Sequence, residues 1–518
     1  MTKYSSLRID FSQCPLPPTR HQKIGVKKLI QDPYVFLTDE PGAGKSKQVI
    51  DAAQSLFDHG SITRVIVVCP SSVKPVWFDP ELGQLRAHCW EALGNRIIHF
   101  HRKPLTWGIG PQERPLEWVI TNYEFIRAGF KSRSRHVPER LAQLLDLCGP
   151  KTLLVLDESS AVKTSRAFQT RACKLLRSKC SRVVLLTGTP VAHSPLDLLS
   201  QGNLLHPSIL SDTPGSPCTL IQFRTRYAVM GGFQGKQILK WRNLEDLQRR
   251  FKPYTLRRLK KDCLDLPIKL DSVALTATLG QKTWTAYKRM RDEMIVQLSE
   301  AEKDSVSVAQ VAITKLIRLS QITSGFLGGI EDFDGTPLPI KHLSHEKLEV
   351  VINWYHDLLA GNPSLKLLIW SRFREECARI KEALEADGTS EIGILWGSSS
   401  SEERGHALRL LNPQTAPEGS AVVVGTPSTG SMGINLVSAH HVIYVSNAHS
   451  LNVRVQSEDR THRPGQRHPV NYYDVVATGP DGQKTIDHIV LKALRKRRNL
   501  ADWTAAAWID ALTQTDPV

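Results

Sequence analysis

The sequence lacks the features that mark secreted and membrane-spanning proteins. No apolar run approaches the roughly 20 residues that a membrane-spanning helix needs. The N-terminal stretch MTKYSSLRIDFSQC has no apolar core of the kind that signal peptides carry. The nine cysteines include no Cys-x-x-Cys pair, which favours separate thiols in a reducing compartment over disulfides or a zinc site. We therefore predict an intracellular, cytoplasmic protein with no targeting segment and no membrane partner.

The sequence also lacks internal repeats and long low-complexity tracts, and its charge is unbalanced. The 518 residues are enough for roughly two to four domains, and 41% of them are hydrophobic, as in ordinary globular proteins. Lys and Arg number 67 against 51 Asp and Glu, so the formal net charge is +16. This excess favours a polyanionic partner such as nucleic acid, although an anionic membrane surface would attract the same charge.

Short apolar runs rich in β-branched residues alternate with helical stretches in both halves of the sequence. In the first half these runs are 35–38, 64–69, 118–121, 152–157 and 182–187. In the second half they are 366–370, 391–396, 421–425, 441–445 and 471–476. Such alternation predicts parallel sheets that are covered by helices on both faces.

The stretch between these halves breaks the rhythm with amphipathic helical sequence around 281–322 and with loop-like segments. The fold class is therefore predicted to be α/β, with two parallel-sheet domains in tandem and helical insertions. We place a first α/β domain at 1–207, helical insertions and a linker at 208–340, a second α/β domain at 341–480 and a basic helical extension at 481–518. We further expect a monomer.

A phosphate-binding loop is predicted directly after the first apolar run, in the segment DEPGAGKS. Glycines let the backbone approach a phosphate chain, and the start of the next helix points its N–H groups at the anion. Lys45 would reach the β- and γ-phosphates, and Ser46 would be a ligand of Mg²⁺. The usual first glycine is absent, since Asp39 occupies its position. The predicted nucleotide-binding residues here are Asp39, Glu40, Pro41, Gly42, Ala43, Gly44, Lys45 and Ser46.

Two adjacent acids follow the apolar run TLLVL. Asp157 would hold Mg²⁺ through water, and Glu158 would orient and deprotonate the attacking water. Adjacent acids at a strand end are common, so they gain meaning from their place after the phosphate-binding loop. In a parallel sheet both segments leave the strands at the carboxyl edge, where ligands bind.

Two arginines of the second half are candidates for completing this site. Arg460 and Arg463 lie in QSEDRTHRPGQ, and their spacing predicts that both project from one face of a helix. Guanidinium groups that reach a γ-phosphate stabilise its developing charge as arginine fingers. A solvated basic helix end is the competing interpretation.

Taken together, these segments resemble the SWI/SNF-type DNA-dependent ATPases of helicase superfamily two. The resemblance runs from about residue 15 to residue 500. DEPGAGKS resembles the first motif of the family, including its aspartate, and LLTGTP (185–190) resembles the third. Further matching segments are RHQKIGVKKL (20–29), VCPSSVKPVW (68–77), TNYE (121–124), DESSAVKT (157–164), TLRRLKKDCLDLP (255–267), STGSMGINL (428–436) and QSEDRTHRPGQ (456–466).

The resemblance implies two RecA-like domains, ATP and Mg²⁺ as cofactors, and movement along duplex or branched DNA. Gln22 would read the adenine edge, and Gly433 and Gln456 would also contact the nucleotide. The basic run 256–262 would brace the domains or touch DNA. The candidate contacts to the DNA backbone are Ser71, Lys74, Thr121, Asn122, Thr426 and Ser428, for which capping of local turns is the competing interpretation.

The sequence departs from the family pattern at two places. The acid box reads DESS where the family has DEAH, and Ala192, His193 and Ser194 follow TGTP where the family has Gln-Asn-Asn. Both changes concern the coupling of hydrolysis to movement and leave the phosphate chemistry intact. Two other functions stay open: a strand-separating DNA or RNA helicase, and a non-catalytic nucleic-acid-binding module with a vestigial ATP site.

Overall fold

The computed structural model describes residues 9–71, 73–81, 83–130, 136–191, 194–213, 215–231, 237–300, 306–329, 339–389, 391–429 and 435–495. The chain divides between Asp265 and Leu266 into two units. This boundary falls inside 208–340, the segment that the sequence assigned to insertions and a linker.

A largely parallel sheet forms the centre of the first unit. The strands described in this unit are β1 (Tyr34–Leu37), β2 (Arg64–Cys69), β3 (Asn95–His99), β4 (Leu105–Ile109), β5 (Leu116–Asn122), β6 (Thr152–Leu156), β7 (Arg182–Leu186), β8 (Ala228–Gly231), β9 (Gln237–Trp241) and β10 (Thr255–Leu256). Eight of them form one sheet in the order β10-β1-β7-β6-β2-β5-β3-β4. Neighbouring strands in this sheet are parallel, except that β3 and β4 are antiparallel to each other. Strands β8 and β9 form a separate antiparallel pair.

Helices cover both faces of this sheet. They are α1 (Arg20–Gln31), α2 (Lys45–Asp58), α3 (Lys74–Phe78), α4 (Gln84–His88), α5 (Tyr123–Arg127), α6 (Glu139–Asp146), α7 (Phe168–Lys179), α8 (Asp197–Leu205), α9 (Leu220–Tyr227), α10 (Leu244–Phe251) and α11 (Lys260–Cys263). Val35 packs in one core with residues of α1 and α2, whereas Phe36 packs in a second core with residues of α5 to α10. Consecutive strand residues point to opposite faces, so a strand buried on both sides is apolar throughout.

The second unit has a sheet of its own. Its described strands are β11 (Val273–Thr278), β12 (Phe326–Leu327), β13 (Lys341–His342), β14 (Lys366–Trp370), β15 (Ile392–Leu395), β16 (Ala421–Gly425), β17 (His441–Tyr444) and β18 (Asn471–Thr478). Six of them form a fully parallel sheet in the order β11-β18-β17-β14-β16-β15. The helices are α12 (Gln281–Glu300), α13 (Val306–Thr323), α14 (Glu346–Gly361), α15 (Arg374–Ala386), α16 (Ser401–Leu410), α17 (Leu451–Glu458) and α18 (Ile486–Arg495).

The C-terminal part of the described chain packs within the second unit. Ile486 and Val490 of α18 share a core with Trp284 of α12 and Leu319 of α13. This helix lies in the described portion, 481–495, of the predicted extension 481–518, and residues 496–518 lie outside the described residues. No described helix combines the length and the apolar character that crossing a bilayer requires.

The predicted strands are confirmed within a residue or two at their ends, and the two parallel sheets confirm the predicted fold class. Four strands of the two large sheets were not revealed by the sequence: β4, β10 and β11, which are edge strands, and β3, which lies next to the edge strand β4. An edge strand is buried less completely, so it carries no continuous apolar run. Because β10 joins the first sheet and β11 joins the second, the predicted linker region is divided between the two units.

Candidate active site

The predicted phosphate-binding loop connects β1 to α2. Gly42 and Gly44 have φ angles of +86° and +76°, in the left-handed region that glycine adopts without steric cost. Gly44 is the N-cap of α2, and no side chain caps this helix end. The first N–H groups of α2 therefore have no capping side chain, and they carry the positive end of the helix dipole. This is the arrangement that binds phosphate.

Lys45 begins α2 and folds back onto the loop that precedes it. Its Nζ donates to the carbonyl oxygens of Asp39 at 2.8 Å and Glu40 at 3.4 Å. Ser46 follows and is half-buried. An anion bound by the loop would offer Lys45 a charged acceptor, which forms stronger hydrogen bonds than carbonyl oxygens do.

Helix α1 supports the loop from the side. His21 Nε2 donates to the carbonyl oxygen of Ala43 at 3.0 Å. Gln22 Oε1 accepts from the N–H of Thr19 at 3.0 Å, and the Nε2 of Gln22 is so close to Gly44 that an added Cβ there would lie 2.3 Å away. The structure therefore places Gln22 beside the loop, while its contact with an adenine ring stays a prediction.

The unusual aspartate of the loop has an ion-pair partner. The carboxylate of Asp39 is fully buried and accepts hydrogen bonds from Arg258 and, at 3.2 Å, from Gln48 Nε2. Arg258 also donates to Gln48 Oε1 at 2.8 Å and to the carbonyl oxygen of His21. Breaking such a buried pair would leave an uncompensated charge, so Asp39 and Arg258 stabilise the loop jointly. Part of the basic run 256–262 thus braces the first unit itself.

The two predicted acids follow β6. Asp157 Oδ2 accepts from Trp77 Nε1 at 2.7 Å, and Oδ1 accepts from the N–H of Glu158 at 2.9 Å. The hydroxyl of Tyr123 donates to the carbonyl oxygen of Asp157 at 2.8 Å. Glu158 has a φ of +47°, which is uncommon for a residue with a side chain and is found most often where the surroundings enforce it for function. Both acids are therefore held in defined positions.

The sheet order brings the loop and the acids to one edge. Because β7 lies between β1 and β6, the ends of β1 and β6 are about 10 Å apart, two strand spacings. The segment after β7 fills this gap: the N–H of Thr187 donates to the carbonyl oxygen of Leu37 at 3.3 Å. A Cβ added at Gly188 would lie 2.6 Å from Pro41. Three of the predicted motifs thus meet at the carboxyl edge of the first sheet.

Most of the candidate DNA contacts are buried. In the first unit, Lys74, Thr121 and Asn122 are buried and Ser71 is exposed. Lys74 Nζ donates to Asn122 Oδ1 at 3.3 Å, and burial lowers the pKa of Lys74. Asn122 Nδ2 donates to Glu124 Oε2 at 2.9 Å. These bonds fit the competing interpretation of local turn structure, and contact with DNA stays a prediction.

The candidates of the second unit show the same division. Ser428 is exposed, whereas Thr426 is buried and shares a hydrogen bond of 2.7 Å with the hydroxyl of Thr429. Gly433 lies outside the described residues. Gln456 lies half-buried on α17.

The two predicted arginine fingers do not lie on a helix, so that part of the prediction was wrong. Helix α17 ends at Glu458, and Arg460 and Arg463 lie in the turns that follow. Pro464 disfavours helical backbone in the residue before it, and Gly465 has a φ of +102°. Arg460 is buried, and burial together with the nearby Arg460 lowers the pKa of Arg463 to about 10.

A buried ionic network holds α17 in place. Arg454 Nη1 donates to Asp474 Oδ1 at 2.5 Å and to Asn447 Oδ1 at 2.7 Å, and its Nε donates to Glu458 Oε1 at 2.6 Å. The guanidinium carbon lies 3.5 Å from the centre of the Tyr444 ring. Burial opposes the charge of Asp474, but Arg454 outweighs it and holds the pKa of Asp474 below its ordinary value.

Comparison with known proteins identifies the family. A family model described as "SNF2-related domain" matches residues 21–324, more than half of the chain. The chain belongs to the SNF2-related family. A second model, "Helicase conserved C-terminal domain", matches residues 346–465 of this SNF2-type chain. The family is one of ATPases, which implies ATP as the nucleotide.

Several relatives of the SNF2-related chain are much longer than it is. An "Uncharacterized ATP-dependent helicase" of Mycoplasma pneumoniae is 23% identical over 486 residues, which are 90% of this chain and 40% of the relative. The "DNA excision repair protein ERCC-6" of Mus musculus is 23% identical over 532 residues, which are 93% of this chain and 32% of the relative. A solved Sulfolobus solfataricus SWI2/SNF2 ATPase core in complex with dsDNA is 18% identical, with a TM-score of 0.40 over 99% of this chain and all of that one.

The sequence did not reveal the residues that hold the SNF2-related motifs in place. Trp77, Arg258 and Arg454 each bind an acid that is distant in the chain, and Gln466 Nε2 donates to the carbonyl oxygen of Val437 at 2.9 Å. All of these residues except Arg454 were quoted within motifs, but the partner of each was not predicted. A motif shows that residues recur together, and it does not show which of them contact one another.

Proposed function

We propose that this SNF2-type ATPase is stimulated by DNA and uses ATP hydrolysis to move along double-stranded DNA and remodel DNA or protein–DNA complexes. The observation that carries the proposal is the meeting of the phosphate-binding loop, the TGTP segment and the acid pair at one edge of the first sheet. Parallel α/β sheets bind nucleotides at this edge.

The residues at this edge fit a complex of ATP with Mg²⁺. Gly42, Gly44 and the start of α2 would hold the phosphates, and Lys45 would transfer its hydrogen bonds from the loop to them. Ser46 and Asp157 supply oxygen atoms, the ligand type that Mg²⁺ prefers. When bound, Mg²⁺ would neutralise charge on the transferring phosphoryl group.

Glu158 and the two arginines have separate roles in this proposal. Glu158 would accept a proton from the attacking water and orient it toward the γ-phosphate. Arg460 and Arg463 would stabilise the negative charge that develops there.

Charge and exposure support DNA as the partner. The net charge of +16 favours a polyanion through counterion release, and this effect is independent of base sequence. Ser71 and Ser428 are exposed hydroxyl side chains in segments that resemble the DNA-contacting motifs of the family. Contacts of this kind position a protein on the phosphate backbone without reading bases.

The test is the ATPase rate of the chain with single-stranded DNA, duplex DNA, branched DNA or RNA as the activator. We expect duplex or branched DNA to give the largest increase, and a strand-displacement assay to show no unwinding. Displacement of a strand would favour a helicase, and an ATPase rate that no nucleic acid changes would contradict the proposal.

A further inference from the structure

A buried glutamine on α8 joins two segments of the candidate active site. Ser159 Oγ donates to Gln201 Oε1 at 2.8 Å. Gln201 Nε2 donates to the carbonyl oxygen of Pro190 at 2.9 Å and to that of Asp197, within its own helix, at 3.0 Å. Ser159 and Gln201 are both fully buried. The amide thus uses its acceptor for one segment and its donor for the other.

The two ends of this bridge lie at chemically important positions. Ser159 follows Glu158 directly and begins a short 3₁₀ turn, Ser159–Val162. Pro190 closes the TGTP segment, in which Gly188 packs against Pro41 of the phosphate-binding loop. A continuous path of packed and hydrogen-bonded groups therefore runs from the loop through Gln201 to the residue beside Glu158.

Breaking the hydrogen bonds of this bridge is costly in free energy. Both Ser159 and Gln201 are shielded from water, so a broken bond would leave a buried polar atom without a partner. Glu158 has an uncommon backbone conformation, with a φ of +47°, that its surroundings must maintain. The bond from Ser159 to Gln201 anchors the turn that begins next to it.

We propose that Gln201 is a positioning residue that ties Glu158 to the state of the phosphate-binding loop. Nucleotide in the loop fixes the position of Pro41, and Pro41 in turn fixes the TGTP segment through its contact with Gly188. Gln201, which is hydrogen-bonded to Pro190, then holds Ser159 in position. The base is then correctly placed when the loop is filled. This inference rests on the proposed function, because it takes Glu158 to be the base.

The test replaces Gln201 with leucine, which has a similar size and no polar atoms. Gln201→Leu should lower kcat for ATP hydrolysis by about 10- to 100-fold, the usual cost of a slightly misplaced catalytic group. The dissociation constant for a fluorescent, non-hydrolysable ATP analogue should stay near that of the wild type, because the phosphate-binding loop is intact.

Asn203→Leu is the matched control on the same helix. Asn203 is also buried, and it exchanges two hydrogen bonds with the backbone of Cys218, at 2.8 and 3.0 Å. Both variants should lose similar thermal stability, whereas Asn203→Leu should keep kcat. Equal losses of kcat in the two variants, or a wild-type kcat in Gln201→Leu, would overturn the inference.

Hydrogen exchange tests the same inference without catalysis. In the wild type, the non-hydrolysable analogue should protect amides of both 187–190 and 159–162. In Gln201→Leu, protection should remain at 187–190 and be lost at 159–162. If this variant does not fold, Ser159→Ala replaces it and should show the same pattern of protection. Retained protection of both segments refutes the bridge, whereas a wild-type rate in Glu158→Gln refutes the proposed role of the base.

Discussion

The first unit holds its candidate acid pair at the end of a strand, whereas the second unit holds its two candidate arginines in turns beyond a helix. Asp157 follows β6, whose neighbours β7 and β2 pair with it along most of its length. Arg460 and Arg463 follow α17, whose position depends on the ion pair between Arg454 and Asp474. Backbone pairing sets the first arrangement, and buried side-chain charges set the second.

This difference indicates which substitutions would displace the candidate site residues of each unit. A strand end stays in place when one side chain is changed, because many main-chain hydrogen bonds to the neighbouring strands position it. A helix that is held by a buried ionic network loses much of its support when the central arginine of that network is removed. Changes to the acid pair should therefore affect chemistry more than folding, and changes to Arg454 should affect folding first.

The largest effect is expected from the phosphate-binding lysine and the base. Lys45→Ala and Glu158→Gln should each lower the ATPase rate by about 10³-fold or more, because each removes a group that acts on the reacting phosphate or water. Thermal unfolding should stay close to that of the wild type. Lys27→Ala, at an exposed position of α1, is the control and should keep the rate. A near-normal ATPase rate in either variant would contradict the proposed role of the residue that was replaced.

The next effect concerns the stability of the second unit. Arg454→Leu should lower the free energy of unfolding by about 3–5 kcal/mol, because Asp474 would stay buried without its oppositely charged partner. Arg289→Leu is the control: its pair with Glu293 is exposed and should contribute about 0.2–1 kcal/mol. Urea unfolding measures both. Similar losses in the two variants would remove the distinction between the units.

A smaller effect is expected at the tryptophan that binds Asp157. Trp77→Phe removes a hydrogen bond of 2.7 Å to the predicted Mg²⁺ ligand and should raise the Mg²⁺ concentration for half-maximal ATPase by about 10-fold. Trp118→Phe removes an equally buried hydrogen bond of 2.9 Å to Asn95, in the same core but away from the acid. Both variants should lose similar stability. An unchanged Mg²⁺ requirement in Trp77→Phe would show that backbone pairing alone positions the acid.

The smallest effect is a pH dependence of the ionic network. The folded protein holds the pKa of Asp474 below its ordinary value of 3.8. The contribution of this carboxylate to the free energy of unfolding is therefore complete above that value and is lost as the pH falls through the folded pKa. The stability difference between the wild type and Asp474→Asn should therefore be largest near neutral pH and shrink in acid. A difference that is constant with pH would show that the carboxylate charge does not support α17.

Local patterns predicted the interior of the fold and the motifs of the site. Buried parallel strands need continuous apolar runs, and the turn at Gly42 and Gly44 needs residues that tolerate positive φ. The same reasoning failed for edge strands such as β10, which is two residues long, and for Arg460 and Arg463, whose helix ends before them. Those features depend on the surroundings more than on the local sequence.

The sequence by itself determined that two parallel α/β sheets form and that one of them carries a candidate phosphate-binding loop and a pair of acids, because apolar periodicity and glycine positions are local properties. Only the tertiary structure decided which side chains support them. Asp39 meets Arg258 from 219 residues away, and Asp157 meets Trp77 from 80 residues away. Such contacts follow from the order β10-β1-β7-β6-β2 of neighbouring strands and from the helices packed on them. That order is a result of packing the whole unit, and no single segment of the chain contains it.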